Sequence, residues 1–319
     1  MTKSYYNPIY GTCHIQIGAK DKPFVSPMKS WIVVACDLGR KVYSIRNGAI
    51  IWEMDFPESW PRALCFFEGI VYIANGNEII GVNPESGYCH FKWTLSNPIN
   101  SIEIRADQGR FFMSICYDTK GYESVELFEI INGSPFSVFK NNHKAYHPRG
   151  AYYLNSWLFI SDTFGHEVYA VDIRYGTKAA SVQVYFPNSI EPISNDEVRI
   201  CAEHENRITN WNYVSGDYNI EFGCNLYPFN INEVIYQQIK ELEMHTEADD
   251  KYNPHKTIAS VEHSGDLTLY SPNSARMTNS SLLICDTDNH RVLIYEHGII
   301  KEYCDLFNNP VNAVMIKGA

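Results

Sequence analysis

No apolar run in the 319-residue sequence reaches the roughly 20 residues a membrane helix needs; the longest, such as Trp31 to Cys36, are strand-sized. A membrane-spanning helix is not expected. Tyr5, Tyr6, Asn7 and Pro8 interrupt the one N-terminal stretch that could serve as a leader, so Sec-dependent export is not expected and a cytoplasmic setting is. The nine cysteines form no CxxC pair and show no zinc-ligand spacing. Cys36, Cys116, Cys201 and Cys285 lie near the ends of apolar runs, which reads as small buried thiols kept reduced. A GxSxG elbow, a Gly-rich phosphate cradle and a dinucleotide fingerprint are all missing, and chemistry by those routes is set aside. Lys and Arg are scattered and the formal charge is −11, so no basic stripe exists to neutralise a phosphate backbone. Nucleic-acid binding is not expected, and the acidity reads as solubility ahead of attraction to a basic partner.

The sequence does contain a repeat. Trp157-Leu158-Phe159-Ile160-Ser161-Asp162 followed by TFGHEVYAV aligns with Leu282-Leu283-Ile284-Cys285-Asp286 followed by TDNHRVLIY, through Asp, Thr, His and Val. A third copy runs from Trp31 to Asp37, and weaker ones centre on Asn75, Asp118 and Glu203. These landmarks recur at about 40 residues, each unit holding three or four strands rich in Val, Ile, Tyr, Phe and Trp between Gly, Asn, Asp or Pro turns. Such a period predicts an all-β fold, a six-bladed β-propeller of four-stranded blades forming one domain over residues 1–319. The interval from Glu203 to Asp286 is about twice the others, and the excess reads as an insertion at 226–255.

Ring closure has two candidate strands. Asn309-Pro310-Val311-Asn312-Ala313-Val314 matches Asn97-Pro98-Ile99-Asn100-Ser101-Ile102, the opening of the third unit, so the C-terminal segment is favoured to complete a blade begun at the N-terminus. Asn7-Pro8-Ile9 followed by CHIQI competes for the same place.

Asp162-Thr163 to Val168, and more fully Asp286-Thr287-Asp288-Asn289-His290-Arg291-Val292, resemble the motif of NHL-repeat six-bladed propellers. The resemblance is specific over two units and architectural over the rest. It implies a class holding protein- and RNA-binding modules alongside lyases, lactonases and esterases, among which the fold does not choose.

Asp162 with His166, and Asp286 with His290, recur at the same turn, which favours a structural brace over catalysis: the carboxylate accepts turn N–H groups and the imidazole packs beside it. A metal-dependent lyase or lactonase using Zn or Ca would need ligands converging on the channel, and His14, His147 and His263 are the candidates. Tyr5, Tyr6, Tyr10, Tyr146 and Trp60 lie in or near turn-rich segments, as exposed contacts or as packing against loops. Within the insertion, Asn230 and Glu233 resemble a helix cap, and Ile235, Ile239 and Leu242 form an apolar stripe on a helix expected over 232–243. That stripe docks on the ring or on another protein, and Tyr252 marks the exposed return. The leading expectation is a non-enzymatic interaction scaffold or adaptor with protein partners and no cofactor, in a larger assembly such as a phage tail or virion. The channel-centred metalloenzyme is the alternative.

Overall fold

The computed structural model describes residues 2–7, 11–16, 31–47, 49–223, 269, 271–278, 281–296, 299–303 and 307–316, with the backbone alone described for 2–7, 11–16, 296 and 299–303. Six four-stranded antiparallel sheets account for most of them. In order from the axis outward, blade I holds Pro310–Met315, Trp31–Cys36, Lys41–Arg46 and Ala49–Asp55, and blade II holds Pro61–Phe67, Ile70–Asn75, Glu78–Val82 and Cys89–Thr94. Blade III comprises Ile99–Asp107, Arg110–Tyr117, Val125–Ile131 and Ser134–Lys140; blade IV comprises Pro148–Leu154, Trp157–Asp162, Glu167–Asp172 and Thr177–Gln183. Blade V follows with Pro187–Pro192, Glu197–Ala202, Arg207–Asn212 and Tyr218–Gly223, and blade VI with Pro272–Thr278, Ser281–Asp286, Arg291–Glu296 and Ile299–Tyr303.

The innermost strands touch one another in a closed cycle, I to VI and back to I. Closure uses the C-terminal segment: Pro310 pairs with Cys36 and Met315 with Ile32. The described part of the competing segment pairs elsewhere: Gly11–Gln16 joins Thr2–Asn7 in a separate hairpin. The stretch read as an insertion, with its expected helix and the residues Ile235, Ile239, Leu242 and Tyr252, lies outside the described residues.

Apolar residues on both faces of the middle strands leave no single central core. Among the described residues six clusters instead sit between neighbouring blades, as with Leu64 and Ile73 against Trp31 and Val33, or Ile160 and Tyr169 against Cys116 and Leu127. Trp31–Cys36 is buried at every position because both its faces meet another blade. Cys36, Cys116, Cys201 and Cys285 are buried free thiols in these interfaces, and burial pushes the last three up to about 12.

Each innermost strand has an edge without a sheet neighbour, whose N–H groups would be stranded in the channel wall. Side chains of the preceding blade accept several of them: Ser189 Oγ takes Ala275 N at 3.3 Å, and Glu191 takes Met277 N at 2.8 Å. The approach is close enough that a Cβ on Gly150 would lie 2.4 Å from the Asn188 carbonyl oxygen, so blades IV and V meet only because residue 150 has no side chain.

Candidate functional site at the channel mouth

The innermost strands all begin on one face, here called the mouth, and all begin irregularly. Pro61, Pro148, Pro187, Pro272 and Pro310, with Ile99 in blade III, pair with the last residue of the second strand, after which the register slips. The proline ring removes a ladder donor at this point. The slipped residue is Arg62, Asn100, Arg149, Asn273 or Val311, and in blade V the slip spans Asn188 and Ser189. A bulge residue leaves the ladder, and its side chain is re-aimed. Here the polar ones gather around the axis.

Arg62 Nη1 donates to Asp118 Oδ2 at 2.8 Å and to Asn100 Oδ1. Asn100 Nδ2 donates to Asp118 Oδ1 at 3.3 Å, and His147 Nδ1 stands 3.0 Å from that same oxygen. Burial raises the Asp118 carboxyl, but the His147 hydrogen bond and the Arg62 charge outweigh it and hold the group well below the usual carboxylate range. Farther round, Asn188 Nδ2 donates to Glu203 Oε2 at 2.8 Å and to Asn273 Oδ1 at 2.7 Å, while Arg149 reaches Glu203 at 3.4 Å.

The charges alternate by blade. The residue after the second strand is Asp37, Gly76, Asp118, Thr163, Glu203 and Thr287 in blades I to VI, acidic in each odd blade. The bulge residue is basic in blades II and IV, where Arg62 and Arg149 reach forward to the acid of the next blade. Blade VI has Asn273 in that place.

Three residues deeper, Cys65, Glu103, Tyr152, Glu191, Arg276 and Val314 occupy equivalent positions. Arg276 Nη1 crosses from blade VI to Glu103 of blade III at 2.5 Å. Burial lifts Glu191 to about 7 against the opposing pull of Arg199 and the Met277 N–H. Glu103, Glu191 and Arg276 make this layer a charged floor beneath the mouth.

The repeated turn residues lie on the mouth face, outside the ring of bulges. Asp162 Oδ1 accepts Tyr146 N at 2.7 Å and Gly165 N at 3.3 Å. His166 Nδ1 accepts Phe186 N at 3.3 Å, and His290 Nδ1 accepts Asn309 N at 3.1 Å. Asp286 Oδ2 instead accepts side-chain donors, Arg291 Nε at 2.6 Å and Asn289 Nδ2 at 2.8 Å. Phe186 and Asn309 precede the prolines of blades V and I and have φ of 51° and 62°, a left-handed backbone rare for non-glycine residues. Blade V has no histidine here, yet Asn206 Oδ1 accepts Ser271 N at 3.0 Å ahead of Pro272. One blade's turn thus holds the pre-proline N–H of the next.

Of the three histidines considered for metal, His147 is at the mouth beside Asp118; the side chain of His14, and the whole of His263, lie outside the described residues. Among the described residues, no three His, Cys, Asp or Glu side chains are placed to hold a metal ion. Arg62, Asn100, Arg149 and Asn188 are not singled out by sequence reasoning, and Asp37 enters it only as a repeat landmark. The signal for the first four is a polar residue one or two positions after each unit's opening proline.

No family model matches the chain, and no curated protein matches it. Among solved structures, a protein of unknown function from Bacteroides caccae is similar at TM-score 0.63 and 11% identity, covering 91% of this chain and 100% of that one. A chain in a nidogen/laminin complex is similar at TM-score 0.56 and 12% identity, covering 90% and 98%. At such identities the likeness extends to fold and no further, so the chain is placed as a six-bladed β-propeller.

Proposed function

We propose that the protein is an interaction scaffold that receives a protein partner on its mouth face. The carrying observation is that three large apolar side chains stand out on the loops around the charged ring: Leu38 is 61% exposed, Trp60 46% and Tyr122 70%. Apolar anchors beside a polar ring are the composition of a recognition surface, with burial supplying affinity and charge supplying register. Arg40 lies over the Trp60 ring at 5.2 Å, which limits the orientations the indole takes before a partner arrives.

In the same reading, Asp162, His166, Asp286 and His290 are braces, and the turn they build supports the kinship with NHL-type propellers. A component of a larger assembly, such as a phage tail or virion, is the form this scaffold takes if several copies present their mouth faces to neighbouring subunits. The test is co-purification from the native source with a Trp60→Ala, Tyr122→Ser double variant beside Tyr175→Ser, which alters a 75% exposed side chain on the opposite face. Loss of partners from the first variant alone is expected. Equal recovery with both defeats the reading.

A further inference from the structure

The joint between blades I and II is built differently from the others. In blades I, IV, V and VI the turn between the second and third strands holds four residues, 37–40, 163–166, 203–206 and 287–290. Blade II closes its turn with two, since Asn75 pairs directly with Glu78. Asn75 stands where blade IV has Asp162, opposite the opening proline. Asp162 Oδ1 is satisfied by Tyr146 N, two residues before that proline, and by Gly165 N within the longer turn. Neither donor has a counterpart at Asn75. Ser59, two residues before Pro61, turns its N–H to the Phe56 carbonyl at 3.2 Å, and the short turn has no residue equivalent to Gly165. The pre-proline contact changes at the same joint: the left-handed fourth residue of the turn, elsewhere His166, Asn206 or His290, is Arg40 in blade I, whose guanidinium has no acceptor to offer the Trp60 N–H.

These departures leave a cavity of about 330 Å³ between the 56–59 linker and the blade II turn. Met54, Phe56 and Ile80 give it apolar walls, and Asp55, Glu58 and Glu78 bring three carboxylates to it. Lys41 answers Asp55 at 3.1 Å and Lys92 answers Glu78 at 3.4 Å; Glu58 has no ion-pair partner among the described residues. Asn75, also in the wall, is only 8% exposed, and its Oδ1 is buried with no hydrogen-bond partner. A buried carbonyl oxygen without a donor costs the fold free energy unless something entering the cavity supplies one. A half-turn about χ2 exchanges the two ends of a carboxamide within nearly one shape, so this oxygen can be presented to the cavity.

We propose that the cavity binds a primary alkylammonium, with its stem along Met54, Phe56 and Ile80 and its N–H donors shared between Glu58 and Asn75 Oδ1, and that the partner received on the mouth face delivers it as a lysine side chain. The inference rests on that reading of the mouth face and names one group of the partner. The linker that walls the cavity runs directly into Trp60, so a partner seated on the indole lies next to it. An ammonium suits the site because its three donors rotate to meet a carboxylate and an amide oxygen, while the four-carbon stem covers apolar wall.

The test uses the full chain, with the half-buried thiol of Cys89 in the cavity wall as reporter. Its alkylation by iodoacetamide is followed in the Cys89 peptide by mass spectrometry, with Nα-acetyl-L-lysine amide, the neutral Nα,Nε-diacetyl-L-lysine amide and free n-pentylamine as probes. The expected result is a saturable slowing by the lysine probe, with the diacetyl form at least tenfold weaker. Asn75→Asp should bind the lysine probe more tightly. Asn75→Leu should bind it at least fivefold more weakly while melting no lower than the parent, because it removes an unsatisfied oxygen. A merely structural Asn75 would instead lower the melting temperature and leave protection unchanged. If Asn75→Leu does not fold, Asn75→Asp, with nearly the same shape, carries the comparison. Equal protection by the diacetyl probe, no protection by the lysine probe, undiminished protection in Asn75→Leu or unchanged affinity in Asn75→Asp overturns the proposal. So does n-pentylamine binding more than tenfold tighter than the blocked lysine, which would make the site one for free amines. Partner recovery that depends on Trp60 and Tyr122 but not on Asn75 removes this inference and leaves the scaffold reading standing.

Discussion

The mouth and the floor of the channel lie three residues apart on the same innermost strands, yet their charges are joined differently. At the mouth, Arg62 and Arg149 reach the adjoining blade; Arg62 and its partner Asp118 keep 33% and 30% of their exposure, whereas Arg149 at 22% meets a fully buried Glu203. At the floor, Arg276 crosses to the blade opposite and meets Glu103, with both side chains at 20% or less. A contact near water such as Arg62 to Asp118 can be exchanged for a ligand's at little loss. A buried strut between opposite blades has no substitute, so removing one end strands the other. The difference separates a surface suited to recognition from a layer suited to holding the ring's diameter.

The largest effect that could break this comparison is at the floor. Arg276→Gln leaves Glu103 and Glu191 facing each other's surroundings without the crossing cation, and an equilibrium urea titration should register a loss of about 3 kcal/mol. Adding Glu103→Gln should recover much of it. If Arg276→Gln unfolds at the parent's urea concentration, the strut has no structural role.

Next in size is the clasp between blades. His166→Ala deprives the buried Phe186 N–H of its acceptor and should cost about 2 kcal/mol at pH 8. His166→Asn, the side chain that blade V uses at Asn206, should restore at least half. The two variants also differ in pH dependence. Burial lowers the His166 pKa from 6.5 to about 3, so the folded chain holds the ring neutral. Its contribution is complete above pH 6.5 and drains away as the pH falls towards 3, because the unfolded chain takes up the proton first. Melting temperatures between pH 7 and 4 should therefore fall more steeply for the parent than for His166→Asn; parallel curves would contradict the assignment of a neutral, buried imidazole.

The smallest effect belongs to the mouth. Arg62→Gln gives up an ion pair about one-third exposed on either side, and its cost in the same urea titration should stay below about 1 kcal/mol. A loss as large as that of Arg276→Gln would erase the distinction between the two layers.

The architecture was legible because it is periodic: Trp157 to Asp162 and Leu282 to Asp286 announce themselves as copies, and apolar runs such as Trp31 to Cys36 show that both faces are covered. The mouth was not legible, since its geometry comes from register. Asn97-Pro98-Ile99-Asn100 and Asn309-Pro310-Val311-Asn312 look interchangeable, and the match did identify the closing strand. In blade III, however, Ile99 pairs with Tyr117 and Asn100 is the bulge; in blade I, Pro310 pairs with Cys36 and the bulge is Val311. This one-residue offset gives Asn100 its partners Arg62 and Asp118 and leaves Asn312 Oδ1 with none. Likewise, the recurrence of His166 and His290 pointed to a brace, but only coordinates relate them to Asn206 of blade V.

Because blade I takes its axial strand from Pro310–Met315, the order of synthesis matters. While the other five blades emerge from the ribosome, Trp31–Cys36 waits with one apolar edge bare, and the pairing that covers it spans nearly the whole chain. The nascent chain therefore carries an uncovered strand until Pro310–Met315 emerges, and chaperone demand should persist until that segment has been made.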